Sequence, residues 1–177
     1  MDDRLAAAWS RLPEYLSQHV VLSATALALG LAISLPLAIA AHRNAVVRWP
    51  VMTLASLVQT IPSLALLALF YPILLALSAA TKPLGLAFSA LGFLPSLLAL
   101  TLYSMLPILR NTVTGLAGVD ADVREAARGV GMTDRQMLTQ VELPLAAPVI
   151  MAGVRTAAVW VIGTATLSTP VGQTSLG

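Results

Sequence analysis

The sequence predicts an all-α, polytopic helical membrane protein. Three observations carry this reading. Hydrophobic residues fill 58% of the 177 positions. Charged residues make up only 10%, against about a quarter in ordinary soluble domains. The apolar residues also collect in runs long enough to cross a hydrocarbon core of about 30 Å. The net charge of +2 and a pI near 9.5 do not indicate a nucleic-acid partner, because ten cations spread along the whole chain form no dense basic patch. Cysteine is absent, which removes disulfides, thiolate nucleophiles and Cys-based metal ligation.

The first segment, Met1 to Gln18, carries Asp2, Asp3, Arg4, Arg11 and Glu14. It is unlike the basic start of a cleavable signal peptide, so the first span is expected to stay in the protein. Leu5, Ala8, Trp9, Leu12 and Leu16 fall at helical spacing. They suit a short amphipathic helix at the interface with Trp9 and Tyr15 at headgroup level; a solvated leader suits the segment equally. Span one follows over 20–41, uncharged from Val20 to Ala41 and closed by His42, Arg43 and Asn44.

Residues 51–80 predict a kinked or broken second span, because Pro62 and Pro72 each remove a backbone donor. Breaks at membrane depth persist only where protein or water satisfies the freed carbonyls. Gln59, Thr60 and Ser63 beside Pro62 therefore mark a protein-facing or water-facing position. Thr81, Lys82 and Pro83 close this region, and Gly85 to Gly92 predict a loop or re-entrant piece. Span three is expected over 93–109, ended by Arg110 and Asn111. A polar loop over 112–144 follows, then span four over 145–167, which carries Arg155.

Orientation follows from the distribution of Lys and Arg, which accumulate on the cytoplasmic side. Arg43, Arg48, Arg110, Arg124, Arg128 and Arg135 fall after spans one and three, while Arg4, Arg11 and Lys82 fall on the other side. The N-terminus is expected outside and the polar loop in the cytoplasm.

Two short helices fit that loop. Asp120 or Asp122 can cap the first, Gly131 in the left-handed conformation can end it, Thr133 or Asp134 can cap the second, and Pro144 marks the turn into span four. Val123, Ala126, Ala127 and Val130 recur at helical spacing and give the first helix a narrow apolar face of small residues, suited to a groove on a partner.

The loop resembles the EAA motif of ABC importer permeases: Glu-Ala-Ala, three residues, Gly, nine residues, an aliphatic residue, one residue, Leu-Pro. Glu125, Ala126, Ala127, Gly131, Val141, Leu143 and Pro144 supply every element. In that family the loop is the coupling helix, which enters a cleft of the nucleotide-binding subunit. The segments Gln59 to Ser63, Tyr103 to Asn111 and Pro148 to Thr156 look like the glycine betaine, choline and osmoprotectant branch, and methionine and amino acid permeases share looser versions of them. The resemblance runs from about Leu12 to Gly177. It implies a type I, MetI-like permease core with five spans, of which this sequence carries four; the last core span is expected to be missing.

The resemblance also implies the assembly: a second permease copy or paralogue, an ABC ATPase subunit bound through residues 120–144, and an extracytoplasmic substrate-binding protein. The setting is the bacterial inner membrane with its lipid, and no nucleic acid is involved. The solute is expected to be a compatible solute such as glycine betaine or choline, moved by alternating access. The alternative is methionine or another amino acid. The chain is not read as an enzyme, since it has no Gly-x4-Gly-Lys-Ser/Thr phosphate loop. An intramembrane protease or lipid transferase would need acids or a His-Glu-x2-His helix within the spans, where none stands; no catalytic residue and no cofactor is expected.

The candidate translocation path is Gln59, Thr60, Pro62, Ser63 and Tyr103. Helix-to-helix hydrogen bonding is the other reading for the polar members, and packing is the other reading for Tyr103, whose ring could face a quaternary ammonium. Arg155 would cost roughly 2.5–3.5 kcal/mol at a bilayer centre, so it is expected to face protein, water or headgroups, with a hydroxyl or carbonyl partner on another span. His19 and His42 bracket span one without a second ligand, and no metal site is expected.

Overall fold

The structure is a computed structural model that describes residues 3–84, 89–172 and 175–176. Residues 85–88 of the expected loop or re-entrant piece lie outside the described residues. Among those described, the chain is helical throughout, with four helical stretches long and apolar enough to cross a membrane: Trp9–Arg43, Ser63–Thr81, Phe93–Ala117 and Asp134–Thr169.

Helix α1 runs unbroken over Asp3–Arg43. The leader is therefore continuous with span one rather than a separate short helix. Nothing between Gln18 and Val20 stops a helix, and Pro13 removes only one hydrogen bond from a run of 41 residues. Where the sequence suggests one kinked span over 51–80, the chain forms α2 (Ala45–Thr60) and α3 (Ser63–Thr81) on either side of Ile61 and Pro62. Asn44 caps α2, its side chain accepting from the Val46 N–H at 2.9 Å. Pro72, by contrast, stays inside α3. Helix α3 is apolar all round and buries only Leu66, Leu67 and Leu74, which suits a lipid-facing helix.

Helix α4 (Phe93–Ala117) is the centre of the bundle and packs mainly on α1 and α7 (Leu143–Ala165). Small residues allow the close approach. A Cβ on Gly30 of α1 would run into the Ser104 hydroxyl. One on Gly153 of α7 would lie 2.7 Å from the Pro107 carbonyl oxygen and 2.6 Å from the Asn111 Cβ. Helix α7 turns the stripe Ala146, Ile150, Gly153, Ala157, Val161 and Ala165 inward at three- and four-residue steps.

The polar loop begins later than the sequence suggests. Thr112, Val113 and Leu116 are buried within α4, with Val113 packed among Ala38, Ala41 and Leu109, and Leu116 against Ala146 and Ile150. Burial of these apolar side chains carries the helix past Arg110 and Asn111 to Ala117.

The loop's second helix is not a separate short one either. Helix α6 (Asp134–Met137) continues through a π-helical turn, Leu138–Glu142, directly into α7. Pro144 marks no turn: it follows the π-helical turn within a continuous helical path, and that turn accommodates its missing N–H.

Candidate functional site

Two regions hold the residues singled out in the sequence. At the first, α2 ends and Pro62 prevents the helix from continuing. The Ile61 N–H turns back to the Val58 carbonyl at 3.2 Å, and the Ile61 carbonyl is left outside either helix. The Tyr103 hydroxyl of α4 donates to that carbonyl.

Helix α4 has its own proline, Pro107, which cannot donate to the carbonyl four residues back, that of Tyr103. The Gln59 amide Nε2 donates to that carbonyl at 3.4 Å. The α2–α3 break and the proline within α4 thus satisfy one another's freed carbonyls through Gln59 and Tyr103.

The structure accordingly brings Gln59, Pro62 and Tyr103 together and occupies the polar atoms of Gln59 and Tyr103 in stitching α4 to the break. Tyr103 is only 8% exposed and packs with Leu66, Leu67 and Ala99. Thr60 is exposed and its hydroxyl donates to the Leu57 carbonyl at 2.7 Å, while Ser63 is half-buried. Thr60 lines a cleft of about 660 Å³ along α2, with Thr53 and Ser56 beside the apolar Trp49, Met52 and Leu57. Arg110 of α4 donates through Nη2 to the Ser56 Oγ at 3.3 Å.

At the second region, α5 spans Ala121–Gly129. Asp120 caps it, accepting from the Asp122 N–H at 2.9 Å. Gly131 sits at φ +83°, in the left-handed region that a side chain disfavours, so the chain reverses there without strain. Thr133 then opens α6 with a reciprocal box: Gln136 N–H to the Thr133 hydroxyl at 3.3 Å, and Thr133 N–H to the Gln136 amide oxygen at 2.9 Å.

Helix α5 has two opposed faces. Val123, Ala126 and Val130 are exposed on one, Val130 at 76%, while neighbouring Ala127 is 6% exposed. Ala121, Arg124 and Arg128 line a polar cleft of about 530 Å³ on the other, together with His42 and Arg43 from the end of α1, and Asp134, Met137 and Glu142. Of the remaining motif residues, Glu125, Gly131 and Pro144 are exposed, and Val141 and Leu143 are half-buried at the base of α7.

Sequence reasoning missed Arg124 and Glu142 as a pair. Glu142 is 4% exposed, and its Oε1 stands 4.0 Å from Arg124 Nη1. The only available signal was an acid placed between the aliphatic and Leu-Pro elements of the motif, where apolar neighbours foretell burial.

Arg155 is exposed on α7, with no hydrogen bond or ion pair among the described residues, so the expected hydroxyl or carbonyl partner on another span is not found. His19 is buried, with its Nδ1 unpartnered among the described residues.

Residues 22–177 match the family described as "Binding-protein-dependent transport system inner membrane component". The choline transport system permease protein OpuBB of Bacillus subtilis is 40% identical over 160 residues, covering 90% of this chain and 67% of that protein. The glycine betaine/carnitine/choline transport system permease protein OpuCB of the same organism is also 40% identical over 160 residues, with the same coverage. The fold is that of a solved inward-facing MetNI methionine ABC transporter chain, with a TM-score of 0.80 at 20% identity, over 99% of this chain and 80% of that one. The helical spans, the loop between α4 and α7 and these likenesses lead to one conclusion: the chain belongs to the inner-membrane permease components of binding-protein-dependent transport systems.

Proposed function

We propose that this permease forms half of the translocation pathway of an ATP-driven importer for a compatible solute such as glycine betaine, choline or a related osmoprotectant. The observation that supports it best is the water-facing apolar face of α5. Val123, Ala126 and Val130 are left uncovered on a well-capped helix carrying the Glu125, Ala126, Ala127 and Gly131 pattern. Such a face has no structural use in an isolated permease and suits insertion into a groove on an ATPase subunit. The chain carries no phosphate-binding loop, so ATP hydrolysis falls to that subunit.

In this reading the loop between α4 and α7 is cytoplasmic, the N-terminus lies outside, and a second permease copy or paralogue completes the pathway. An extracytoplasmic binding protein delivers the solute. The pathway runs beside the α2–α3 break, lined by Thr60, Pro62 and Ser63, with Gln59 and Tyr103 holding the break in shape. Relatives at 40% identity favour an osmoprotectant over methionine, because the methionine transporter is similar at 20% identity and speaks for the fold alone.

The reading is tested by uptake competition among betaine, choline, carnitine and methionine in vesicles holding the full complex. Uptake of labelled betaine or choline that methionine leaves untouched is the expected result. Displacement by methionine alone would replace the solute assignment, and failure of the tagged permease to retain any ATPase subunit would remove the importer assignment.

A further inference from the structure

The proposed docking of α5 leaves open how movement of that helix reaches the spans, since α5 buries little and makes its principal contacts with α6 and the π-helical turn. The polar cleft behind α5 supplies a route. Glu142 is a buried carboxylate at the end of an otherwise water-facing segment, and such a charge persists only with partners. Arg124 reaches it from the face of α5 opposite Val123 and Val130, at 4.0 Å. His42 and Arg43, at the end of α1, line the same cleft. Arg43 also donates through Nη2 to the Asp134 carbonyl at 3.1 Å, tying α1 to the start of α6.

Glu142 is moreover the last residue of the π-helical turn Leu138–Glu142, in which the Leu143 N–H bonds to the Leu138 carbonyl, five residues back. Such a turn holds one residue more than α-helical geometry needs. It can pass that residue along the helix, rotating the side chains beside it by about 100° per residue.

We propose that Glu142 and Arg124 form the strut by which displacement of α5 is delivered to the base of α7, with the π-helical turn as the element that yields. Glu142 is a positioning residue: it touches neither solute nor nucleotide, and acts by holding α5, α7 and the end of α1 in one arrangement. This rests on the reading of α5 as the ATPase-docking helix.

The experiment separates the two. The permease contains no cysteine, so nitroxides at Leu29→Cys on α1 and Val159→Cys on α7, both exposed, report the distance between these helices in the complex with its ATPase subunit. The change on trapping with ATP and vanadate is measured alongside retention of the ATPase by tagged permease. Ala126→Glu, on the exposed face of α5, should abolish retention; wild-type retention there overturns the docking reading, whatever happens at Glu142.

Glu142→Gln and Arg124→Gln should each retain the ATPase but reduce the ATP-induced distance change at least twofold, and Arg124→Glu with Glu142→Arg should recover it. Should Glu142→Gln fail to insert, Arg124→Gln carries the same readout from the more exposed end of the pair. A wild-type-sized change in the single variants, no recovery in the swapped pair, or no ATP-induced change in the wild-type complex would each overturn the strut.

Discussion

The α2–α3 break and the loop at the base of α7 both contain a proline where a helix would otherwise continue, and they absorb it in opposite ways. At Pro62 the backbone opens, and side chains from another helix must meet the carbonyl it frees. At Pro144 the backbone stays helical, with the π-helical turn accommodating the missing donor. The environment accounts for the difference. Ile61 packs against the buried cluster of Leu66, Leu67, Ala99 and Tyr103, and a carbonyl freed among apolar side chains needs a partner within the protein. Pro144 is exposed, beside a loop whose polar groups can reach water. A break against the apolar core is thus expensive, fixed and locked by side chains, whereas the loop region is locally determined and free to shift.

That contrast can be broken by substitution. The largest effect is expected at Gly131→Ile. A side chain at φ +83° costs about 1–2 kcal/mol, and a β-branched one more, so the turn behind α5 is re-aimed. Transport per ATP should fall about tenfold while membrane insertion is unchanged. Wild-type uptake in this variant would mean that the reversal at Gly131 has no part in coupling.

Next comes Tyr103→Phe, which leaves the Ile61 carbonyl unpaired in the protein interior at a cost of about 1–3 kcal/mol. The expected readout is a fall in melting temperature in detergent of about 2–4 °C per kcal/mol. An unchanged melting temperature would show that the break needs no lock. Gln59→Leu removes the longer hydrogen bond, at 3.4 Å, and should cost less, about 0.5–1.5 kcal/mol. A larger loss than at Tyr103 would reverse the order of the two stitches. Smallest is Pro144→Ala, which restores a donor where none is missed and should shift stability by no more than about 0.5 kcal/mol. A loss comparable with that of Tyr103→Phe would erase the distinction between the two regions.

The loop was the more legible of the two in the sequence. Asp120, Gly131 and Thr133 act over two or three residues, through a cap, a left-handed turn and a reciprocal box, so spacing alone foretells them. The break at Pro62 was legible as a break but not as a lock, because Gln59 and Tyr103 meet across 44 residues of chain. The helix ends were least legible. Arg110 and Asn111 read as polar terminators, yet α4 runs on because Val113 and Leu116 are buried by its neighbours. Likewise α6 runs into α7 because a π-helical turn bridges the two.

By itself the sequence determined the class, the number of apolar stretches and the shape of the α5–α6 reversal. These depend on hydropathy summed over a span and on short-range backbone chemistry, both local properties. The tertiary structure alone decided which freed carbonyl meets which side chain, and that Glu142 is buried opposite Arg124. It also decided that Gly30 and Gly153 let α1 and α7 close on α4. Those outcomes depend on how helices distant in sequence pack, and packing at van der Waals contact is set by the shapes of all the partners at once.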